Sequence, residues 1–232
     1  MTEPTVIPPD LARRSLTGLA QFTLVMAVML FLPAWSLTWM QGWLFWAVFN
    51  LCCLVLSLYF LKHDPALVSR RMRGGPTAER EASQRRVQSV MGVLIIALFL
   101  VPGFDYRFGW SHVSWALVII GDLMVIAGFW IIHLTFKANS YASATVEMSE
   151  GQTVISTGVY GVVRHPMYAG ATILFFGAAL AMGSWWALIP AALLVPGLAW
   201  RLTEEEVFLV QNLQGYEGYR RKVRWRLLPF IW

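Results

Sequence analysis

The chain has 232 residues, of which 57% are hydrophobic and only 13% charged, whereas a soluble domain carries roughly a quarter charged residues. A soluble core of this size cannot absorb so many apolar side chains, so lipid must solvate part of the surface. The 12 Trp and 7 Tyr fit that solvent, because amphipathic rings favour the membrane–water boundary.

A membrane crossing needs about 20 mostly apolar residues. Residues 16–36 give a first such run and 43–61 a second, with Pro33 and the uncharged segment after it as the turn. Arg13-Arg14 ahead of the first run resembles the start of a signal peptide. The run is longer than a signal h-region and has no small-residue cleavage site, so it reads as a retained span. Cys52 and Cys53 are adjacent inside the second run, poor geometry for a disulfide, and read as packing residues. A third run goes from Val87 to Phe104, with Pro102-Gly103 as its stop. A fourth covers Ser114–Phe136 and contains Asp122 and His133. An ionisable residue in a span marks either function or a single buried hydrogen bond to a neighbouring helix; the second reading is preferred for both.

Residues 166–200 carry no charge. They are too many for one crossing and slightly too few for two full ones. Gly183-Ser184 falls near the middle, and Pro190 and Pro196 interrupt the second half, so a hairpin of short helices over 168–182 and 185–201 is expected. Residues 202–222 read as an amphipathic helix with acid early and base late, which suits the helix dipole. Of the 18 Lys and Arg, all but Arg107 then fall at one end of the bundle, which the positive-inside rule makes cytoplasmic. Both termini are expected there, in a cytoplasmic membrane if the chain is bacterial. The net charge of +5 is therefore a topology signal, and nucleic acid is excluded as a partner. His63, His112, His133 and His165 show no metal-ligand spacing, so no metal is expected. The fold class is all-α: a polytopic transmembrane bundle of five or six membrane segments. Residues 1–136 form its four N-terminal spans and 137–232 a second region.

Two polar features sit at the basic end. Residues 137–166 are too long, and too rich in Ser, Thr and Gly, for a minimal connector. They lead into Arg164-His165-Pro166-x-Tyr168-x-Gly170, where Pro166 suits a helix start. His165 and Tyr168 then share one side, beside backbone N–H groups that favour an anion. An interfacial anchor would look the same. Arg201 and Glu205, one helical turn apart, end the long apolar stretch and are followed by Glu206. They either snorkel to the surface or face a cavity between helices.

The segment from Asn139 to Trp232 resembles the isoprenylcysteine carboxyl methyltransferase family of integral membrane enzymes. The matching blocks are Glu150-Gly-Gln-x-Val-Ile-Ser-Thr-Gly-x-Tyr160, Arg164-His-Pro-Met-Tyr-Ala-Gly170, Arg201-x-x-x-Glu-Glu-x-x-Leu209, and Tyr216-x-x-Tyr219 before Leu228-Pro-Phe-Ile231. The first 136 residues match only as hydrophobic spans, and eukaryotic members carry additional ones. The resemblance implies that S-adenosylmethionine is the cofactor, bound without a Rossmann domain between the membrane helices and the C-terminal segment. It implies contacts at Gln152, Thr153, Val154, Ile155, Tyr160, His165, Pro166, Met167, Tyr168 and Glu205. A further polar contact aligns loosely with Thr145, and Arg201 would lie near the methyl acceptor.

Methyl transfer from a sulfonium is an in-line displacement, so the site must chiefly hold acceptor, methyl and sulfur in line. A carboxylate acceptor is ionised near neutral pH and needs no base, which agrees with the lack of any Ser/His/Asp or Cys/His set. The expected acceptor is small or lipophilic and enters from the bilayer, most simply as a carboxylate such as that of a prenylated cysteine. A phospholipid amine or a small thiol stays open, and either would require a proton acceptor such as His165 or Glu206. An NADPH-dependent membrane sterol reductase also ends in an Arg-His-x-x-Tyr-x-Gly element, and a non-enzymatic membrane protein is the third reading.

Overall fold

The computed structural model describes residues 9–72, 82–142 and 151–232; Thr145 and Glu150 lie outside them. Among these residues the chain is all-helical. Helices α1 (Leu11–Ala34), α2 (Met40–His63), α4 (Ala82–Phe108) and α5 (Trp115–Ala138) are each long and apolar enough to cross a membrane. At 1.5 Å per residue their 24 or so residues reach about 36 Å, against a hydrocarbon core of about 30 Å. Between α2 and α4 lies a short helix, α3 (Pro65–Met72). Helices α6 (Pro166–Ala181) and α7 (Leu188–Asn212) form the hairpin, and α8 (Tyr216–Lys222) precedes the C-terminal segment.

Four expectations are corrected. Pro102-Gly103 does not end the third span, because α4 continues to Phe108. Gly103 marks a close approach instead: a Cβ there would stand 2.6 Å from the Leu30 carbonyl oxygen and 3.0 Å from Pro33 Cβ, so α1 and α4 meet backbone to side. The second hairpin helix does not stop at 201. It runs through Arg201 to Asn212 as one rod, with Pro190 in its first turn, where no backbone donor is lost. The helix read over 202–222 is accordingly two pieces, broken at Gly215, whose φ of +86° is a conformation glycine adopts at little cost. Asp122, lastly, is buried but neither carboxylate oxygen has a hydrogen-bond partner, contrary to the interhelical bond expected. His133 packs among the rings of Trp130, Tyr59 and Phe60.

The tightest seam joins α5 to α6, and glycines make it. A Cβ on Gly121 would come within 2.3 Å of Ala181 N, and one on Gly128 within 2.7 Å of the Gly170 carbonyl oxygen. Reciprocally, a Cβ on Gly170 or Gly177 would lie 2.8 Å from the carbonyl oxygen of Gly128 or Gly121. Small residues let membrane helices approach backbone to backbone, where dispersion supplies what the hydrophobic effect cannot. This seam fixes where the N-terminal turn of α6 sits.

The ends of the bundle differ. At the end bearing Arg107, buried Asp105 accepts hydrogen bonds from Ser184 and from Ser111 (2.7 Å), while Ser184 Oγ accepts from Ala187 N at 3.1 Å, tying the hairpin turn to α4. At the basic end, Asp64 caps α3 by accepting from Leu67 N at 2.9 Å, with Pro65 at the first helical position. Ser140, just past α5, donates to Asp64 and accepts from Arg70, which docks α3 against α5.

Candidate functional site at the basic end

A cavity of about 480 Å³ opens between α4, α5, α6, α7 and the segment from Gly151. Gln152, Thr153, Val154, Ile155, Tyr160, His165, Pro166, Met167, Tyr168, Arg201 and Glu205 all line it. These residues lie on three stretches of chain, and only the fold brings them together.

Two polar systems build its walls. In the first, Arg201 Nε donates to Tyr168 Oη at 3.2 Å, and Tyr168 Oη donates to Glu205 Oε2 at 2.7 Å. The phenol thus bridges the cation and the carboxylate that α7 presents one turn apart. Tyr168 and Arg201 are buried, and the His165 ring stacks on Tyr168 at 5.7 Å.

The second system is a clamp behind the cavity. Glu206 accepts from Arg164 Nε at 2.6 Å, His165 Nε2 at 3.1 Å and Arg226 Nε at 3.2 Å. Burial opposes ionisation of this carboxyl, but the hydrogen bonds from His165 and Arg164 outweigh it and hold it at about 2. An ionised Glu206 requires His165 Nε2 to carry the proton it donates. Backbone bonds continue the clamp: the N–H groups of Arg164 and His165 donate to the carbonyls of Trp225 and Arg226, each at 2.9 Å. Arg164 Nη1 adds Val223 O at 2.9 Å and Arg224 O at 3.0 Å. The C-terminal segment is thereby fastened under the start of α6. Glu206, considered from the sequence as a proton acceptor, does not line the cavity; its carboxylate is committed to three donors.

The loop wall is fixed by tyrosines. Tyr160 Oη accepts from Asn139 Nδ2 at 3.1 Å, Tyr219 Oη donates to the Tyr160 carbonyl at 2.8 Å, and Tyr141 Oη donates to the Gly151 carbonyl at 3.1 Å. Burial pushes the Tyr160 hydroxyl up to about 12, so it stays a neutral phenol. Tyr216 and Tyr219, on α8, also reach the cavity.

The lining also includes a charged residue that was not anticipated. Arg71, on α3, places its guanidinium 4.8 Å from the centre of the Phe136 ring, with Nη1 3.4 Å from Met167 Sδ. Burial lowers its pKa. The signal for it was the Asp64-Pro65 pair, a cap followed by a first-turn proline, which turns an apparent basic linker into a helix with a defined inner face.

The other wall is apolar. Met91, Gly92 and Ile95 of α4 face Leu198 of α7 there. Further along the same α4–α7 seam, Leu94, Ala97, Val101, Ile189, Pro190 and Leu193, with Trp110 and Trp186, line a second cavity of about 690 Å³.

Fold and site together define a helical membrane protein with a polar, arginine- and carboxylate-bearing cavity at one end of its bundle. Residues 116–214, from α5 through α7, match the family model described as Phospholipid methyltransferase. That segment contains every cavity residue expected from the sequence, and over it the chain is similar to a family of membrane methyltransferases. No curated protein matches the chain. No solved structure matches it either.

Proposed function

We propose that the protein is an integral membrane methyltransferase that uses S-adenosylmethionine to methylate an amphiphilic acceptor drawn from the bilayer. The observation that carries this is the convergence of the loop, the start of α6 and the Arg201–Glu205 turn of α7 on one cavity. Its volume lies in the range of ligand pockets, and the donor set suits a cofactor with hydroxyl, ammonium and adenine groups. When bound, the cofactor supplies a methyl group on a sulfonium: the sulfur–carbon bond breaks as the acceptor–carbon bond forms. Glu205 accepts hydrogen bonds from cofactor hydroxyl or ammonium groups. Tyr160 and Tyr168 offer ring faces to adenine or to the cationic sulfur. Arg201, buried beside Tyr168, orients an anionic acceptor by paired hydrogen bonds. Orientation supplies most of what in-line displacement asks of a protein.

The apolar wall between α4 and α7, continued by the second cavity along that seam, supports an acceptor with a hydrocarbon tail. A carboxylate, as in a prenylated cysteine, needs no base. A phospholipid amine is the second reading, favoured by the family model over residues 116–214. In that case the proton acceptor is Glu205, since Glu206 lies outside the cavity lining and its carboxylate oxygens are committed to Arg164, His165 and Arg226. We further propose that the basic end faces the cytoplasm, where the cofactor is made.

The test is calorimetric binding of S-adenosylhomocysteine to the detergent-purified protein, with Glu205→Ala beside it. Binding in the micromolar range that the substitution abolishes is expected. Absence of binding in folded wild-type protein, or binding of NADPH in its place, overturns the assignment.

A further inference from the structure

The C-terminal segment carries an apolar tip that the cavity does not use. Its height is fixed by the bundle. The carbonyls of Trp225 and Arg226 accept from the N–H groups of Arg164 and His165, each at 2.9 Å, and Leu227 is buried in the main core. Directly after those donors, Pro166 starts α6 and opens the uncharged run that ends at the exposed Trp200 of α7. An exposed Trp at the edge of an uncharged run marks the membrane–water boundary. The segment therefore leaves the protein at that boundary.

Beyond Leu227 the chain turns outward. Phe230 and Ile231 are 86% and 76% exposed, and the rings of Phe230 and Trp225 meet at 5.5 Å. The backbone of this tip is closed on itself. The N–H groups of Arg226, Leu227 and Leu228 donate to the Trp232 backbone oxygen, and those of Ile231 and Trp232 to the Leu228 carbonyl. Backbone that meets its own hydrogen bonds enters an apolar medium without leaving donors unmet. Phe230 holds a φ of +67°, an outlier for a bulky side chain, and strain of that kind clusters at functional positions.

Charge surrounds the apolar tip. From Arg220 to Trp232 there are five basic residues and no acidic one. Arg226 is committed to Glu206 and Arg221 to Glu217, while Arg220, Lys222 and Arg224 are exposed. An aromatic tip with a basic rim, held at the boundary, complements a leaflet of anionic lipid, whose surface potential attracts Lys and Arg.

We propose that residues 228–231 form an anchor that enters the leaflet at the basic end, and that Arg220, Lys222 and Arg224 make it selective for anionic phospholipid. The anchor is tied to the cavity, because His165, whose N–H bonds the Arg226 carbonyl, lines that cavity. Anionic lipid thereby steadies the cavity wall at the start of α6. The anchor stands or falls independently of the reaction that the cavity supports.

The experiment uses the full chain with Cys52→Ser, Cys53→Ser and Ile231→Cys, the new thiol carrying a bimane fluorophore. It is placed in nanodiscs of phosphatidylcholine alone, or of equal parts phosphatidylcholine and phosphatidylglycerol. Quenching by lipid brominated near the headgroup reports entry into the leaflet, and quenching by aqueous acrylamide reports exposure. In the mixed discs the brominated lipid should quench and acrylamide should not. Each basic residue near an anionic surface strengthens attachment about fivefold. The ratio of inserted to exposed tip should therefore fall at least tenfold in phosphatidylcholine alone, and equally in the triple variant Arg220→Gln, Lys222→Gln, Arg224→Gln. Hydrogen exchange of the Arg164 and His165 amides should be slower in the mixed discs, with unchanged exchange in α1 and α2 showing that each variant is folded. Acrylamide quenching in both kinds of disc overturns the anchor and gives the tip to a soluble partner. Equal lipid quenching in both discs and in the triple variant overturns the selectivity for anionic lipid. Exchange at Arg164 and His165 that is indifferent to lipid overturns the link to the cavity.

Discussion

Replacing Glu206 with Gln keeps the shape of the side chain and removes the charge that three donors share. The carboxylate accepts from Arg164 at 2.6 Å, His165 at 3.1 Å and Arg226 at 3.2 Å, with only 3% of its side chain exposed. A carboxyl held at about 2 instead of 4.5 corresponds to about 3 kcal/mol of preference for the ionised form in the folded state. Breaking a buried pair by removing one partner costs about 3–5 kcal/mol by a separate route, so the two agree in scale. A Gln amide restores one acceptor but points its N–H groups at donors. The cost should fall locally, because the clamp joins residues 223–226 to the start of α6 and little else. Hydrogen exchange of the Arg164 and His165 amides, which donate to Trp225 and Arg226, reads that opening directly. About 3 kcal/mol predicts acceleration by about two orders of magnitude, with amides in α1 and α2 unaffected. Exchange at Arg164 and His165 within threefold of wild type would refute the view that Glu206 holds the C-terminal segment.

The same clamp sets an acid limit. A depressed carboxyl contributes stability that is complete above 4.5 and is lost as pH falls from there through about 2. Protection of the Arg164 and His165 amides should decline over that window in wild type and show no such step in Glu206→Gln; matching profiles would count against the assignment. Tyr168→Phe deletes the hydroxyl that links Arg201 to Glu205. Hydrogen bonds to charged groups contribute about 1.5–3 kcal/mol, so methyl transfer should fall at least tenfold with helicity unchanged, and an undiminished rate would remove the bridge from the site. Gly128→Ala places a methyl 2.7 Å from the Gly170 carbonyl oxygen and should destabilise by about 1–3 kcal/mol in detergent unfolding. Gly18→Ala, which meets nothing within 4 Å, should be neutral or slightly stabilising; equal effects at the two positions would deny the α5–α6 seam its role.

Composition and the apolar runs were enough to decide the solvent and the element type. Long apolar runs over α1, α2, α4 and α5 can satisfy their backbone in lipid only as helices, so their number and approximate bounds were legible. Pro166 after Arg164-His165 announced the start of α6, and the spacing of Arg201 and Glu205 put both on one face of α7. What local pattern left undecided was decided by contacts between distant elements. Pro102-Gly103 reads as a stop, yet Gly103 is there so that α1 can approach α4. Glu205 and Glu206 are adjacent and chemically alike, but a turn of 100° on the helix separates them. One faces the cavity through Tyr168, and the other is locked behind it by Arg164, His165 and Arg226. Arg71 was one basic residue among many in a polar linker until the docking of α3 on Ser140 aimed it inward. A side chain's type is written in the sequence; its direction and its neighbours are set by packing, because burial and pairing energies belong to surfaces that meet only in the folded chain.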